Sequence, residues 1–240
     1  MPIFDSVKLA LVTHAEHPEL RDSIDDLFPA FMNHDKIVAS FWPRLYDEYP
    51  DFQLWAVDRD ERRTVAYAST LPVRWDGTPA PRGIDWAMTN GIEGEPTTLC
   101  AIVAAIVPEY RGSGLSAAIV RRMISIAAAH GLDGLIAPVR PTWKDRYPLV
   151  SIEHYLAWRR GDGLLYDPWL RTHERLGGDL LGPAPRSMTI AGTREEWQEW
   201  TGLVFPQDGD YVVPGALVPV HFKDGQGIYV EPNVWMRHDV

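Results

Sequence analysis

The chain has 240 residues, 45% of them hydrophobic and 23% charged. That is enough for a sizeable core and excludes global disorder. The formal net charge of −10 argues against a non-specific nucleic-acid binder, which needs a basic stripe, and allows a cationic or amine substrate.

In chain order, Val7 to Thr13 reads as a first strand. Pro18 then suits the first turn of a helix carrying Leu20, Ile24, Leu27, Phe28 and Phe31 at helical spacing, with Pro29 kinking or shortening it. A second helix is expected from about Lys36 to Glu48. Phe52–Asp58 and Thr64–Trp75 are rich in β-formers around a short polar link and predict an antiparallel hairpin. Residues 76–97 predict a long surface loop with room for one helical turn. "LCAIVAAIV", Leu99 to Val107, is apolar throughout and predicts a strand buried on both faces. A helix from Gly114 to His130 follows, stopped by Gly131, and "LIAPV" (Leu135–Val139) returns as a strand. This strand–helix–strand unit requires a parallel crossover and an α/β architecture. Pro138 is tolerable there only where neighbouring strands separate.

Further on, a short helix is expected around Ser151–Arg159, and another in "DPWLRTHERLGG", capped by Asp167 and ended by Gly177–Gly178. "RSMTIAG" is a strand. Thr193 and Glu196 mark a capping box before a short helix, and a hairpin around "KDGQG" closes the chain at "GIYVEP". One continuous domain, 1–240, is expected, with inserted segments near 76–97 and 140–166.

The chemistry centres on "VPEYRGSGLS", Val107 to Ser116. A buried strand running through a glycine-rich turn into a helix is a general anion-binding device, because the first helical amides lack partners and the dipole is positive there. A Walker loop is excluded, since no Lys followed by Ser or Thr comes after the last glycine. Gly112, Gly114 and Ala117 match G-x-G-x-x-A. However, Arg140 stands near where a dinucleotide fold wants an acid for the ribose, so an NADP-dependent oxidoreductase is one alternative. A non-catalytic acyl-CoA-binding module is another.

Arg111, Gly114 and Ser116 resemble the Q/R-x-x-G-x-G/A signature of the Gcn5-related N-acetyltransferases, with Ser116 in place of the usual Gly or Ala. The order of elements over roughly residues 7–190 is similar to that family too. The resemblance implies a GNAT-like α/β fold: a mixed, mostly antiparallel sheet with splayed central strands flanked by helices. It also implies acetyl-CoA or another acyl-CoA as co-substrate and direct transfer of a short acyl group to an amine. A small-molecule acceptor is favoured because the sequence shows no basic or peptide-groove signature. Backbone amides from Arg111 through Gly112, Ser113, Gly114 and Leu115 to Ser116 would hold the pyrophosphate, and Ile106 and Val107 would offer backbone groups to pantetheine. Arg121 and Arg122 suit a solvated helix face better than the phosphates. "THERLGG" resembles the family's "FYEKLGF", which puts His173 where a Tyr commonly protonates the departing thiolate. His173 is therefore the candidate catalytic acid, with Tyr147, Tyr155 and Tyr166 as substitutes.

The family's usual strand carboxylate is absent from Leu99–Val107, where Cys100 stands at about that position. Cys100 is expected to be an inert small hydrophobe. Asp85, Glu93 or Glu95 could serve as base through water. Trp75, Trp86, Trp143 and Trp158 fall near the two segments expected to flank a substrate mouth. One cysteine excludes an intramolecular disulfide, and eight histidines in no ligand spacing predict no metal. Without a signal peptide or an apolar run of about 18 residues, a cytoplasmic protein with no membrane or nucleic-acid partner is expected. A homodimer is left open.

Overall fold

The computed structural model describes residues 8–21, 23, 24 and 27–240. Among them, nine strands form one sheet. Its order is β1 (Leu9–Thr13), β2 (Gln53–Asp58), β3 (Arg63–Val73), β4 (Thr98–Ile106), β5 (Gly134–Val139), β9 (Gln226–Asp239), β8 (Val220–Lys223) and β7 (Gly209–Tyr211), while β6 (Asp179–Thr193) also pairs with β9. Every pairing is antiparallel except β4–β5.

Side chains alternate between faces along each strand, and the helices sort accordingly. Cys100, Ile102, Ile136 and Trp235 pack under α1 (Lys36–Glu48) and α2 (Gly83–Ala87) through Phe41, Leu45, Ile84 and Ala87. On the other face Leu99 and Leu135 pack against Leu115, Ile119, Met123 and Ile126 of α3 (Leu115–Ala129). Each of these large side chains contributes about 1.5–3 kcal/mol by leaving water. Also on the α3 face, α4 (Ile152–Leu156) and α5 (Pro168–Arg175) bury Tyr155, Leu156 and Leu170 against Ala137, Val139 and Met236. The last helix, α6 (Arg194–Thr201), opens with the expected Thr193–Glu196 capping box.

Two sequence expectations change. The helix expected after Pro18 forms only 3-10 turns, Pro18–Leu20 and Ala30–His34, among the described residues. Val7, Asp22, Asp25 and Asp26 lie outside those residues. The closing hairpin also extends well past Pro232. The C-terminal half of β9 lies between β5 and β6, pairing Val139 with Val234 and Leu135 with His238. Pro232 reads as a stop, yet it faces the register shift between Ala184 and Met188 of β6, where the ladder is interrupted.

Candidate functional site

β4 and β5 are paired only at Leu99–Leu135 and Cys100–Ile136. Beyond that point β4 follows β3 as far as Ile106, and β5 follows β9 as far as Val139. The two central strands therefore open into a wedge. The β3–β4 register shifts at the mouth of this wedge: Thr70 pairs with Ala101 and Ser69 with Val103, leaving Ile102 as the extra residue of a bulge. Pro138 lies past the last β4–β5 pair, where no β4 ladder remains to require its missing N–H.

At the far end of β4, Val107 still donates to Val65 O (3.0 Å) before the chain turns through Pro108–Tyr110. Tyr110 fastens this turn to the end of β2 by donating its hydroxyl to Asp58 Oδ2 (2.5 Å), a bond that pushes the phenol up to about 12. Gly112 (φ 77°) and Gly114 (φ 91°) both occupy the left-handed region, which a side chain at Cβ resists. Ser113 donates to Tyr110 O (2.6 Å) and braces the loop from within. The loop is largely exposed and leads directly into α3, so the first amides of that helix face out of it. Arg111 is exposed, and its Nε donates to Ile106 O (3.0 Å), folding the guanidinium back over the strand end. Arg121 is exposed and Arg122 half-buried.

On the α3 face, one buried carboxylate organises segment 140–166. Asp167 Oδ1 caps α5 by accepting from Trp169 N (2.9 Å) and Leu170 N (3.2 Å). Its Oδ2 accepts from Trp143 N and from the Tyr155 hydroxyl, both at 2.8 Å. Burial first, then Asp167, drives the Tyr155 phenol well above its ordinary value. The Tyr147 and Tyr166 hydroxyls lie 3.0 Å apart and half-buried. Trp143 and Trp158 pack edge-on against these rings rather than standing free at a mouth. Trp86 instead lines an open groove of about 650 Å³ with Arg74, Asp76, Asn90 and Glu93, while Trp75 borders a smaller cavity of about 170 Å³.

His173 does not have the surroundings of an acid. It is 2% exposed, with Nδ1 2.9 Å from His238 Nε2, and His238 is the register partner of Leu135 at the closed end of the wedge. Burial, reinforced by His238, holds its pKa down to about 3. An imidazole so held carries no extra proton near neutral pH, surroundings that suit a neutral packed histidine better than the expected acid. Cys100 is fully buried and burial pushes its thiol up, away from nucleophilic use. Of the three candidate bases, Glu93 and Glu95 are exposed. Asp85 is 3% exposed, with its pKa raised to about 7 by burial and then by Asp35, against a weaker pull from Arg82. Arg140, the residue that would have served a 2′-phosphate, is engaged with Glu231 (3.0 Å) and Gly215 O (2.5 Å). No three His, Cys, Asp or Glu side chains group as a metal site among the described residues, and no helix there is long and apolar enough to cross a membrane.

A mixed sheet with two parallel strands splayed apart, and a glycine turn at the head of the following helix, is the architecture that the resemblance to acyl-CoA-dependent acyltransferases implies. The comparisons agree. Over a 273-residue alignment, the chain is 30% identical to the arginine N-acetyltransferase avaD of Aspergillus versicolor, spanning 96% of this chain and 94% of that one. Its fold is similar to the loading GNATL domain of CurA from Lyngbya majuscula (TM-score 0.58, 14% identity, 96% of this chain and 97% of that one). It is also similar to the GphF GNAT-like decarboxylase in complex with isobutyryl-CoA (TM-score 0.59, 14% identity, 97% and 98%). No protein-family profile matches the chain. The chain belongs to the Gcn5-related N-acetyltransferase superfamily. It is an acyl-CoA-dependent enzyme that transfers an acyl group to an amine, and the oxidoreductase alternative falls.

Proposed function

We propose that the acceptor is a small cationic amine of the arginine type. The observation that carries this is the relative named arginine N-acetyltransferase, aligned over nearly the whole of both chains. A net charge of −10 is compatible with such a substrate.

In this reading the amides from Arg111 to Ser116 hold the pyrophosphate of acetyl-CoA, and the backbone of Ile106 and Val107 guides pantetheine into the β4–β5 wedge as an added strand would be guided. The acceptor nitrogen attacks the thioester carbonyl carbon. The C–N bond forms, the C–S bond breaks, the amine loses a proton and the thiolate gains one. Amides of β4 stabilise the developing oxyanion, and holding the two reactants together supplies much of the acceleration. His173 stays neutral and holds α5 against β9. The 240 residues act as one cytoplasmic domain, with segments 76–97 and 140–166 shaping specificity.

The test is incubation with acetyl-CoA and each of L-arginine, L-leucine and L-glutamate, followed by thiol release and product mass. Acetylarginine formed in preference to the other two products supports the proposal. Equal use of all three, or thiol release without acetylated product, contradicts it.

A further inference from the structure

The wedge narrows to an apex on the face covered by α3 and α5. Ala101 and Ala137 are the first residues past the last β4–β5 pair, Cys100–Ile136. Side chains alternate along a strand, so both alanines face α3 and α5, as Leu99 and Leu135 do. Two apolar clusters meet at this point. One joins Leu99 and Leu135 to Leu115 and Ile119 of α3, and the other joins Ala137 and Val139 to Leu170 of α5. Among the described residues, Ala101 and Trp169 are the only partly buried apolar side chains packed against both clusters. Each strand therefore carries an alanine at the apex, and the indole of Trp169 reaches the same junction from α5.

The Trp169 ring is held in place from two sides. Its backbone N donates to Asp167 Oδ1 (2.9 Å), which fixes the first turn of α5. Its indole packs edge-on against His173, with ring centroids 4.4 Å apart. His173 is buried in turn against His238 of β9, Nδ1 to Nε2 2.9 Å. Length brings the reacting end of the co-substrate to this ring. From Ile106 back to Ala101, β4 covers about 17 Å at ~3.3 Å per residue. Pantetheine has roughly thirteen bonds between phosphorus and sulfur, and extended like a peptide of about four residues it spans ~15 Å. With the pyrophosphate on the glycine turn, the sulfur and its acyl group arrive at Ala101. A fixed aromatic wall facing two alanines leaves room for a small group. A longer chain must displace the ring or leave the slot, and forcing extra methylenes against packed side chains is unfavourable.

We infer that Trp169 sets the length of the acyl group this enzyme accepts, closing the apex of the wedge behind an acetyl group and turning away longer chains. This rests on the proposed placement of acyl-CoA in the wedge with its pyrophosphate on the glycine turn, and it names the residue that chooses among acyl donors. Ala101 and Ala137 supply the space, and the Trp169 ring limits it. A smaller side chain at 169 extends the slot toward Leu115 and Leu170, apolar surroundings that suit a hydrocarbon chain.

The experiment is calorimetric titration of CoA, acetyl-CoA and hexanoyl-CoA into the wild-type protein and Trp169→Ala. No amine is added, so the result does not depend on the acceptor. The wild type is expected to bind acetyl-CoA roughly tenfold or more tightly than hexanoyl-CoA, and Trp169→Ala to reduce that ratio to about threefold or less. CoA carries no acyl group and is the reference within each protein. If Trp169→Ala does not fold, Trp169→Leu is titrated instead, and the same ratio is expected to fall. A folded variant that keeps the wild-type ratio overturns the role of Trp169 and leaves acyl-CoA in the wedge. Equal or tighter binding of hexanoyl-CoA by the wild type overturns it as well. A wild type that binds neither CoA nor acetyl-CoA removes the placement in the wedge and this inference together.

Discussion

Cys100 and Ile136 are the last residues paired between β4 and β5, and the extra residue Ile102 of the β3–β4 bulge lies only two positions further on. The wedge between the parallel strands and the bend of β4 thus start together. The glycine turn closes the far end of the same strand, so one strand joins the loop to the gap.

The turn depends on backbone handedness. Gly114 at φ 91° caps α3, and a β-branched side chain there is strained by about 1–3 kcal/mol. Gly114→Val is expected to raise the KM for acetyl-CoA by about tenfold or more, since each ~1.4 kcal/mol is a factor of ten. The KM for the amine should move less. Steady-state kinetics in both substrates check this.

The two buried histidines make stability depend on pH. His173 in the fold titrates at about 3, lowered by burial and by His238, while in the unfolded chain it titrates near 6.5. Between those values the unfolded state binds more protons, so this contribution is present above pH 6.5 and is lost as pH falls. His238, lowered mainly by burial, acts in the same direction. Melting temperatures from pH 7 down to pH 5 should drop more steeply for the wild type than for His173→Gln. The same variant should keep the neutral-pH dependence of kcat, which an acid role for His173 would not allow.

Asp85 works in the opposite sense. Its pKa is raised from 3.8 to about 7, so the folded state holds the extra proton and this contribution is lost as pH rises through 7. Asp85→Asn is expected to melt higher than the wild type at pH 8, by roughly 2–4 °C for each kcal/mol recovered, and to show a smaller gain at pH 5. A pH series of thermal melts measures both.

Gly83 is required by contact. With φ at 40° and Ser187 Oγ occupying the space a Cβ would need, Gly83→Ala must displace α2 or the β6 kink. A loss of about 2–3 kcal/mol is expected. Adding Ser187→Gly should recover part of it, which denaturant melts of the single and double variants would show as coupling.

The sequence was most legible where pattern and local chemistry agreed. α1 runs from Lys36 to Glu48 as expected, the β2–β3 hairpin forms, and Asp167 caps α5. Pro138 correctly marked the parting of strands. The later half of β9 was hidden because the expected hairpin ended at Pro232, and the kink in β6 opposite makes that proline harmless. The surroundings of His173 were not legible, because a helical stripe shows which face is apolar but not that a second histidine, sixty-five positions on, packs against it.

The central claim is that acyl-CoA occupies the wedge and the glycine turn together. Amide hydrogen exchange with and without acetyl-CoA tests it most directly. The expected result is protection of Ala101–Val107 and of Arg111–Ala117, with little change in β1, β7 and β8. Binding of acetyl-CoA that leaves both of those segments unprotected would contradict the claim.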